Sequence, residues 1–371
     1  MKKGVKNLRK VEFFNRESEA EEITNILKTE PRLVNFIYGP INSGKTALIM
    51  NIIENLPPGY VVFYVNLRGK FITSYNDFVE SLFEIDKESK KKKSRVSEFT
   101  KEFLAGTGKY YGIPIPENLL NVVFKDNEPK NVFEYITEIM NEVKKNNRQP
   151  ILIIDELQVI GDLKIDEYLI YKLFNFFIRL TKELHLCHVF ALSSDSLFIE
   201  KVYSEAMLQG RAKYLFVDDF DPDTAKRFLG YYKFGRDEID TTLRYLGGKP
   251  SHLVELIDAK RNKKDLKSEA IAIVKRRKIE INQKLYVIRD IGKEVEFEGK
   301  TIPVDYAKIL NTLKLFVNKD CITYSNITPE IMYLVTENLL FVDSSTADLK
   351  PQSRTDLIAI RESLKELPQT S

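Results

Sequence analysis

Two short stretches carry the residue types that phosphate chemistry requires. Gly39-Pro40-Ile41-Asn42-Ser43-Gly44-Lys45-Thr46 matches the pattern G-x-x-x-x-G-K-[ST]. Glycines at the first and sixth positions let the backbone curl so that successive N–H groups converge on phosphate oxygens. A helix opening at this point adds about half a positive charge at its amino end. Lys45 suits a bridge between the β- and γ-phosphates, and the Thr46 hydroxyl suits a magnesium ligand. Gly39, Pro40, Asn42, Ser43, Gly44, Lys45, Thr46 and Ala47 are therefore the candidate nucleotide contacts. A glycine turn before an ordinary helix would leave Lys-Thr at that register unexplained. The second stretch is Ile151-Leu-Ile-Ile-Asp155-Glu156. An apolar strand ending in Asp155 delivers a carboxylate that can hold magnesium through water, and Glu156 can polarise the water that attacks the γ-phosphate. Adjacent carboxylates after a buried strand can also cap a helix. With the phosphate loop upstream they point to hydrolysis of ATP rather than binding alone.

The elements that must position these residues are legible as a pattern. Residues 32–38, 60–66, 150–155, 187–193 and 213–219 are short runs rich in Val, Ile, Phe and Tyr, bounded by polar or turn residues. Helical patterns such as 47–55 and 167–184 separate them. Near-continuous apolar strands with helix-length spacers imply an α/β fold, a mainly parallel sheet covered on both faces. Residues 86–130 break the pattern and read as an insertion outside the sheet. They include the basic run 87–95, which is either a solvated face or an anion-binding patch. From Pro222 to about 290 the chain reads as helices. Residues 303–371 read as two or three helices with a hairpin at 339–343 and 347–351, the pattern of a winged helix.

Several boxes resemble those of the archaeal ATPase family, within the AAA+/STAND class of P-loop proteins. They are Phe13-Phe14-Asn15-Arg16-Glu17, Ile154-Asp155-Glu156-Leu157-Gln158, Ala191-Leu192-Ser193-Ser194, Gly210-Arg211-Ala212 and Gly247-Gly248-Lys249-Pro250. Leu339-Leu340-Phe341-Val342-Asp343 and Lys350-Pro351-Gln352 resemble the family's closing region. The resemblance implies a P-loop NTPase core with a five-stranded parallel sheet (residues 1–220, with the insertion), a helical lid (221–295) and a carboxy-terminal winged-helix domain (296–371), with ATP and Mg2+ as cofactors. It places Phe14, Asn15 and Arg16 against the nucleotide and a serine of the Ser193-Ser194 pair, Ser194 by analogy, facing the γ-phosphate. Many relatives have Gly-Ser there. Asn15 also suits a cap for the helix at 16–28. Arg211 is either an arginine finger, in its own subunit or a neighbour, or a surface ion pair. Pro250 either approaches the base or only starts a helix.

Composition narrows the partners. The 371 residues carry a net charge of +3, so any surface for nucleic acid must be local. Lys260, Arg261, Lys263, Lys264, Lys267, Lys275, Arg276, Arg277 and Lys278 form one local basic stretch. Yet the segment in the recognition-helix position, 329–338, has neither Lys nor Arg, so DNA is the less favoured partner against a protein or a second copy of the chain. His185, His188 and His252 share no metal-ligand spacing. Two distant cysteines, no signal-peptide pattern and no membrane-length apolar run point to a cytoplasmic setting.

Overall fold

The computed structural model describes residues 11–86, 106, 108–117, 119, 129–160, 169–204, 208, 210–297 and 300–366. The basic run at 87–95 lies outside them. Contacts divide the chain into two compact units. A sheet unit holds residues 18–39 and 49–217, and a helical unit holds residues 11–17, 40–48 and 218–366.

The chain enters through α1 (Glu17–Leu27), β1 (Val34–Tyr38), α2 (Lys45–Asn55), β2 (Tyr60–Asn66) and α3 (Tyr75–Leu82). It continues through β3 (Phe83–Asp86), β4 (Lys109–Tyr111), β5 (Ile113–Pro116), α4 (Pro129–Lys145) and β6 (Gln149–Asp155). The remaining elements of the sheet unit are α5 (Leu169–Ile178), β7 (His188–Ser193), α6 (Ser196–Ser204) and β8 (Ala212–Phe216). Six strands make one parallel sheet in the order β4-β2-β6-β7-β1-β8. Strands covered on both faces have little room for polar side chains, and all five residues of β1 are buried. The one amide among them, Asn35, donates to the backbone oxygens of Leu33 and Val189, both at 3.2 Å. Phe36 stacks on Tyr214 with ring centres 5.4 Å apart and meets Phe174 edge-on. The parallel sheet of an α/β fold is as expected, but it has six strands and not five. The sixth, β4, lies inside the segment expected to stand apart from the sheet. Three residues, Lys-Tyr-Tyr, are too short for a hydrophobic period, and pairing with β2 is what makes them a strand.

In the helical unit, α7 (Pro222–Tyr231), α8 (Arg236–Leu246), α9 (Pro250–Arg261) and α10 (Leu266–Asp290) share a core built on Phe228, Leu229, Leu246, Leu253, Leu256 and Ile273. Asp221 and Asp265 cap α7 and α10 by accepting from first-turn amides. The α8–α9 joint is tight: a Cβ on Gly248 would sit 1.8 Å from the Phe220 oxygen, so only glycine fits there. A hairpin of β9 (Glu294–Phe297) and β10 (Lys300–Pro303) follows, which the sequence pattern did not announce. The chain closes with α11 (Tyr306–Lys314), β11 (Ile322–Thr323), α12 (Pro329–Thr336), β12 (Leu340–Asp343), β13 (Asp348–Pro351) and α13 (Arg354–Glu366). The strands form an antiparallel sheet in the order β11-β13-β12, and the hairpin at 339–351 is in place. Polar contacts and the packing of Ile358 hold this segment against α9 and α10. Arg277 of α10 donates to Asp356 (2.6 Å) and to the Asn338 oxygen (2.7 Å), and His252 pairs with Thr355 at 3.0 Å.

Candidate functional site

Parallel strands put all their carboxyl ends on one edge, and that edge of the sheet unit gathers Asp155, Glu156 and Ser193. β6 ends in Asp155, paired in register with Asn66 of β2. The Asp155 carboxylate is buried and accepts from the Tyr64 hydroxyl (2.7 Å) and from the Glu156 N–H (2.9 Å). Asn66 donates onward to the Tyr64 oxygen at 3.2 Å. Burial and the neighbouring Asp155 push the Tyr64 hydroxyl far above its ordinary pKa, so it stays a donor. Glu156 has φ +61, a left-handed backbone that only the surrounding structure can impose on a glutamate. Arg68 pairs with one of its carboxylate oxygens, and Gln158 Nε2 donates to the other at 2.5 Å.

A carboxylate engaged on both oxygens is restrained, and would have to be released before it could act as a base. Because the Arg68 side chain is 64% exposed, its hold on Glu156 is screened by water and weak. Arg68→Ala should therefore raise basal ATP turnover by about twofold to fivefold, a change of less than about 1 kcal/mol. Steady-state kcat checks this, and a fall in kcat would mean that Arg68 assists the chemistry instead of restraining it.

On the same edge, Ser193 ends β7 in register with Tyr38, the residue before Gly39. Its hydroxyl accepts from the Asp195 N–H at 3.1 Å, while Asp195 caps α6 by accepting from the Leu197 and Phe198 amides. Burial raises the pKa of the Asp195 carboxyl. Ser194 is half-buried beside this turn. Arg211 lies elsewhere. It precedes β8, whose first residue, Ala212, is in register with Val34, and it is exposed at the amino edge of the sheet. A five-residue strand spans about 16 Å, so Arg211 is remote from Asp155 and Glu156 of its own chain. The reading of Arg211 as an arginine finger within one subunit is set aside on that ground.

The phosphate loop leaves β1 at Gly39. There a Cβ would lie 2.1 Å from the Val217 oxygen, which accounts for the first glycine of the motif. Residues 40–48 belong to the helical unit. Asn42 (φ +60) and Gly44 (φ +99) alternate with residues that do not have positive φ, as in an anion-binding nest. The Ser43 N–H and the Lys45 Nζ both donate to the Pro40 oxygen, at 3.2 and 2.9 Å. Among the described residues, the Ser43 hydroxyl is fully buried with no hydrogen-bond partner, and nothing lies within 4 Å of a Cβ placed on Gly44. An orphaned hydroxyl beside an open nest fits a phosphate group.

Behind the loop, Arg16 donates to the Ser43 oxygen (2.7 Å) and the Asp218 oxygen (2.6 Å) and lies over the Phe220 ring. Phe14 packs against Phe228 and Tyr231, and Asn15 donates to Thr224 of α7. These residues thus brace the loop and α7, and the Asn15 side chain is committed to α7 instead of capping α1. Pro250 is the first residue of α9. Sequence reasoning missed three groups here: Arg68, and two that touch the loop itself. Lys249 donates to the Ile41 oxygen at 2.9 Å, and Gln352 accepts from the Ile41 N–H at 3.2 Å. Lys249 and Gln352 stood inside quoted boxes, but only their side-chain partners reveal what they do.

The profile of the family described as an ATPase domain predominantly from Archaea matches residues 13–256. The chain belongs to this archaeal ATPase family. A second profile, the C-terminal domain of MJ1010-like uncharacterized ATP-binding proteins, matches residues 250–364 of this chain. An uncharacterized ATP-binding protein of Methanocaldococcus jannaschii is 47% identical over 365 residues, covering 96% of this chain and 98% of the relative. One of Pyrococcus abyssi is 45% identical, with 94% and 98% covered. Among solved structures, a Walker-type ATPase of Pyrococcus abyssi superposes with a TM-score of 0.59 at 15% identity, over 94% of this chain and 96% of that one, which speaks for the fold. Among the described residues, no helix is long and apolar enough to cross a membrane.

Proposed function

We propose that the chain is a magnesium-dependent ATP hydrolase that uses turnover to drive a conformational switch. The observation that carries this reading is the Asp155–Glu156 pair at the carboxyl end of β6, with Glu156 held in a strained backbone and its carboxylate restrained by Arg68 and Gln158. In this reading the nest formed by Asn42 to Gly44, with Thr46 and Ala47 at the start of α2, binds the phosphates. Lys45 exchanges its loop oxygen for phosphate oxygens. Thr46 and Asp155 would hold Mg2+, whose role when bound is to neutralise charge between the β- and γ-phosphates. A buried carboxylate at a strand end is the hard oxygen donor that a divalent cation takes. Glu156, once released by Arg68, orients and deprotonates the attacking water. Ser194 is the residue assigned to sense the γ-phosphate, and Arg211 serves only a neighbouring copy of the chain.

Residues 1–220 act as the ATPase core and 221–295 as the lid, with 296–371 as a winged-helix module. The module joins α10 through polar contacts and also packs Ile358 of α13 onto the helical core, so lid and module are proposed to move as one body. A protein or a second copy is its partner. DNA is not the proposed partner: Lys260, Arg261, Lys264, Arg276, Arg277 and Lys278 are already paired with carboxylates, and α12 has no basic residue. The decisive test is Lys45→Ala. Loss of a charged hydrogen-bond donor to phosphate should weaken ATP binding about 10- to 100-fold, and chelating the magnesium should abolish turnover. Undiminished ATP binding by the variant in an equilibrium titration would sink the assignment.

A further inference from the structure

Ile41 sits in the phosphate loop and is held through its backbone from two sides of the helical unit. Its C=O accepts from Lys249, at the start of the lid helix α9. Its N–H donates to Gln352, in the turn between β13 and α13 of the carboxy-terminal module. Gln352 is 3% exposed. Its own N–H donates to the Leu339 oxygen (3.1 Å), and its Nε2 donates to the Leu340 oxygen (2.9 Å). The donor end of the amide is thereby assigned, so the acceptor end must face Ile41.

The consequence runs through one peptide plane. In a trans peptide the N–H and the preceding C=O point in opposite directions. Aiming the Ile41 N–H at Gln352 therefore aims the Pro40 C=O the other way, to where it accepts from both Lys45 Nζ and the Ser43 N–H. Gln352 thus reaches the loop lysine without touching it. The contact joins residues 311 positions apart, so it requires the module to be seated beside the loop. A cavity of about 810 Å³ opens beside Ile41 and Asn42, with Gln352, Lys249 and Arg277 in its wall, so the module meets the loop at this point and not across a continuous packed face.

We infer that Gln352 is a positioning residue for the nucleotide: through the Pro40–Ile41 peptide it sets Lys45, so that nucleotide affinity depends on docking of the carboxy-terminal module. The inference rests on the ATP site proposed above. Linkage makes it reciprocal, because a module that strengthens nucleotide binding must itself be held more firmly when nucleotide is bound.

The test uses the full chain and ADP with magnesium. Gln352→Met removes the acceptor at similar size. It should raise the Kd for ADP about fivefold to tenfold, the worth of one buried hydrogen bond. In the wild type, ADP should slow amide exchange across residues 348–366, and in the variant that protection should disappear. Gln352→Asn keeps the amide but withdraws it by one methylene, and it should fall between the two. It also keeps the test open if the Met variant folds poorly. A Kd within twofold of wild type in both variants, with ADP protection retained, would overturn the inference. So would faster exchange that is equal with and without ADP, since that is a purely structural role. A wild type that fails to bind ADP would instead bring down the ATP site itself, and the inference with it.

Discussion

Glu156→Gln should lower magnesium-dependent ATP turnover by about 10² to 10⁴-fold, the usual contribution of a positioned general base, while leaving ATP affinity within a fewfold of wild type. Gln keeps the length and planarity of the side chain, so the left-handed backbone at residue 156 and the contact with Arg68 survive with little rearrangement. What disappears is the capacity to take a proton. Asp155 is untouched, and its hydrogen bonds from Tyr64 and the residue 156 N–H do not involve the substituted group. Binding and chemistry therefore separate. An equilibrium titration with ATP should look like wild type, while single-turnover hydrolysis should nearly stop. A rate within tenfold of wild type would remove Glu156 from the role of base. Arg68 sharpens the reading, since the double variant Arg68→Ala/Glu156→Gln should be as slow as Glu156→Gln alone: freeing a side chain that cannot accept a proton gains nothing.

The parts of this molecule that were legible in the sequence are those where local chemistry leaves no alternative. β1, β2, β6 and β7 announced themselves because strands buried on both faces must be apolar almost throughout, and β8, half-buried at the sheet edge, by its Tyr-Leu-Phe-Val run. The loop at Gly39–Thr46 did so because a Cβ at Gly39 would collide with Val217 and a nest needs φ values that glycine tolerates. By contrast, β4 is defined only by its partner, and β9 and β10 (Glu-Val-Glu-Phe and Lys-Thr-Ile-Pro) are polar strands that bury little. Arg68 and Gln352 were hidden for a related reason. Their partners lie 88 and 311 residues away, and nothing in the local spacing encodes such a meeting. Arg211 is different. A residue just before a strand of a parallel sheet must lie at the amino edge, opposite the end where β1 delivers Gly39, so its distance from Asp155 followed from the strand reading once the sheet was taken to be parallel.

Lys249→Met should be the most destabilising change near the loop, by about 3 to 5 kcal/mol near neutral pH, because it leaves a buried carboxylate without its partner. Lys249 is 4% exposed, and its ammonium lies 3.0 Å from Asp219 Oδ1. Burial raises the pKa of Asp219, and the neighbouring Lys249 is the main influence pulling it back down. A carboxyl whose folded pKa exceeds its unfolded value keeps its proton longer in the native state. Its contribution is therefore favourable at low pH and is lost as pH rises through the folded pKa. Removing Lys249 moves that folded pKa higher still, so Asp219 can remain neutral in the variant at a pH where the wild type is already an ion pair. The loss of stability should accordingly be smaller at about pH 5 than at about pH 8, which urea unfolding at the two pH values would measure. Equal losses at both would mean that Asp219 is hydrated or re-paired in the variant. Adding Asp219→Asn should return much of the stability at pH 8, because the isolated charge is gone. It should not return nucleotide affinity, because the Ile41 oxygen would still lack its donor. That divergence separates the two tasks of Lys249, neutralising a buried carboxylate and holding the phosphate loop in shape.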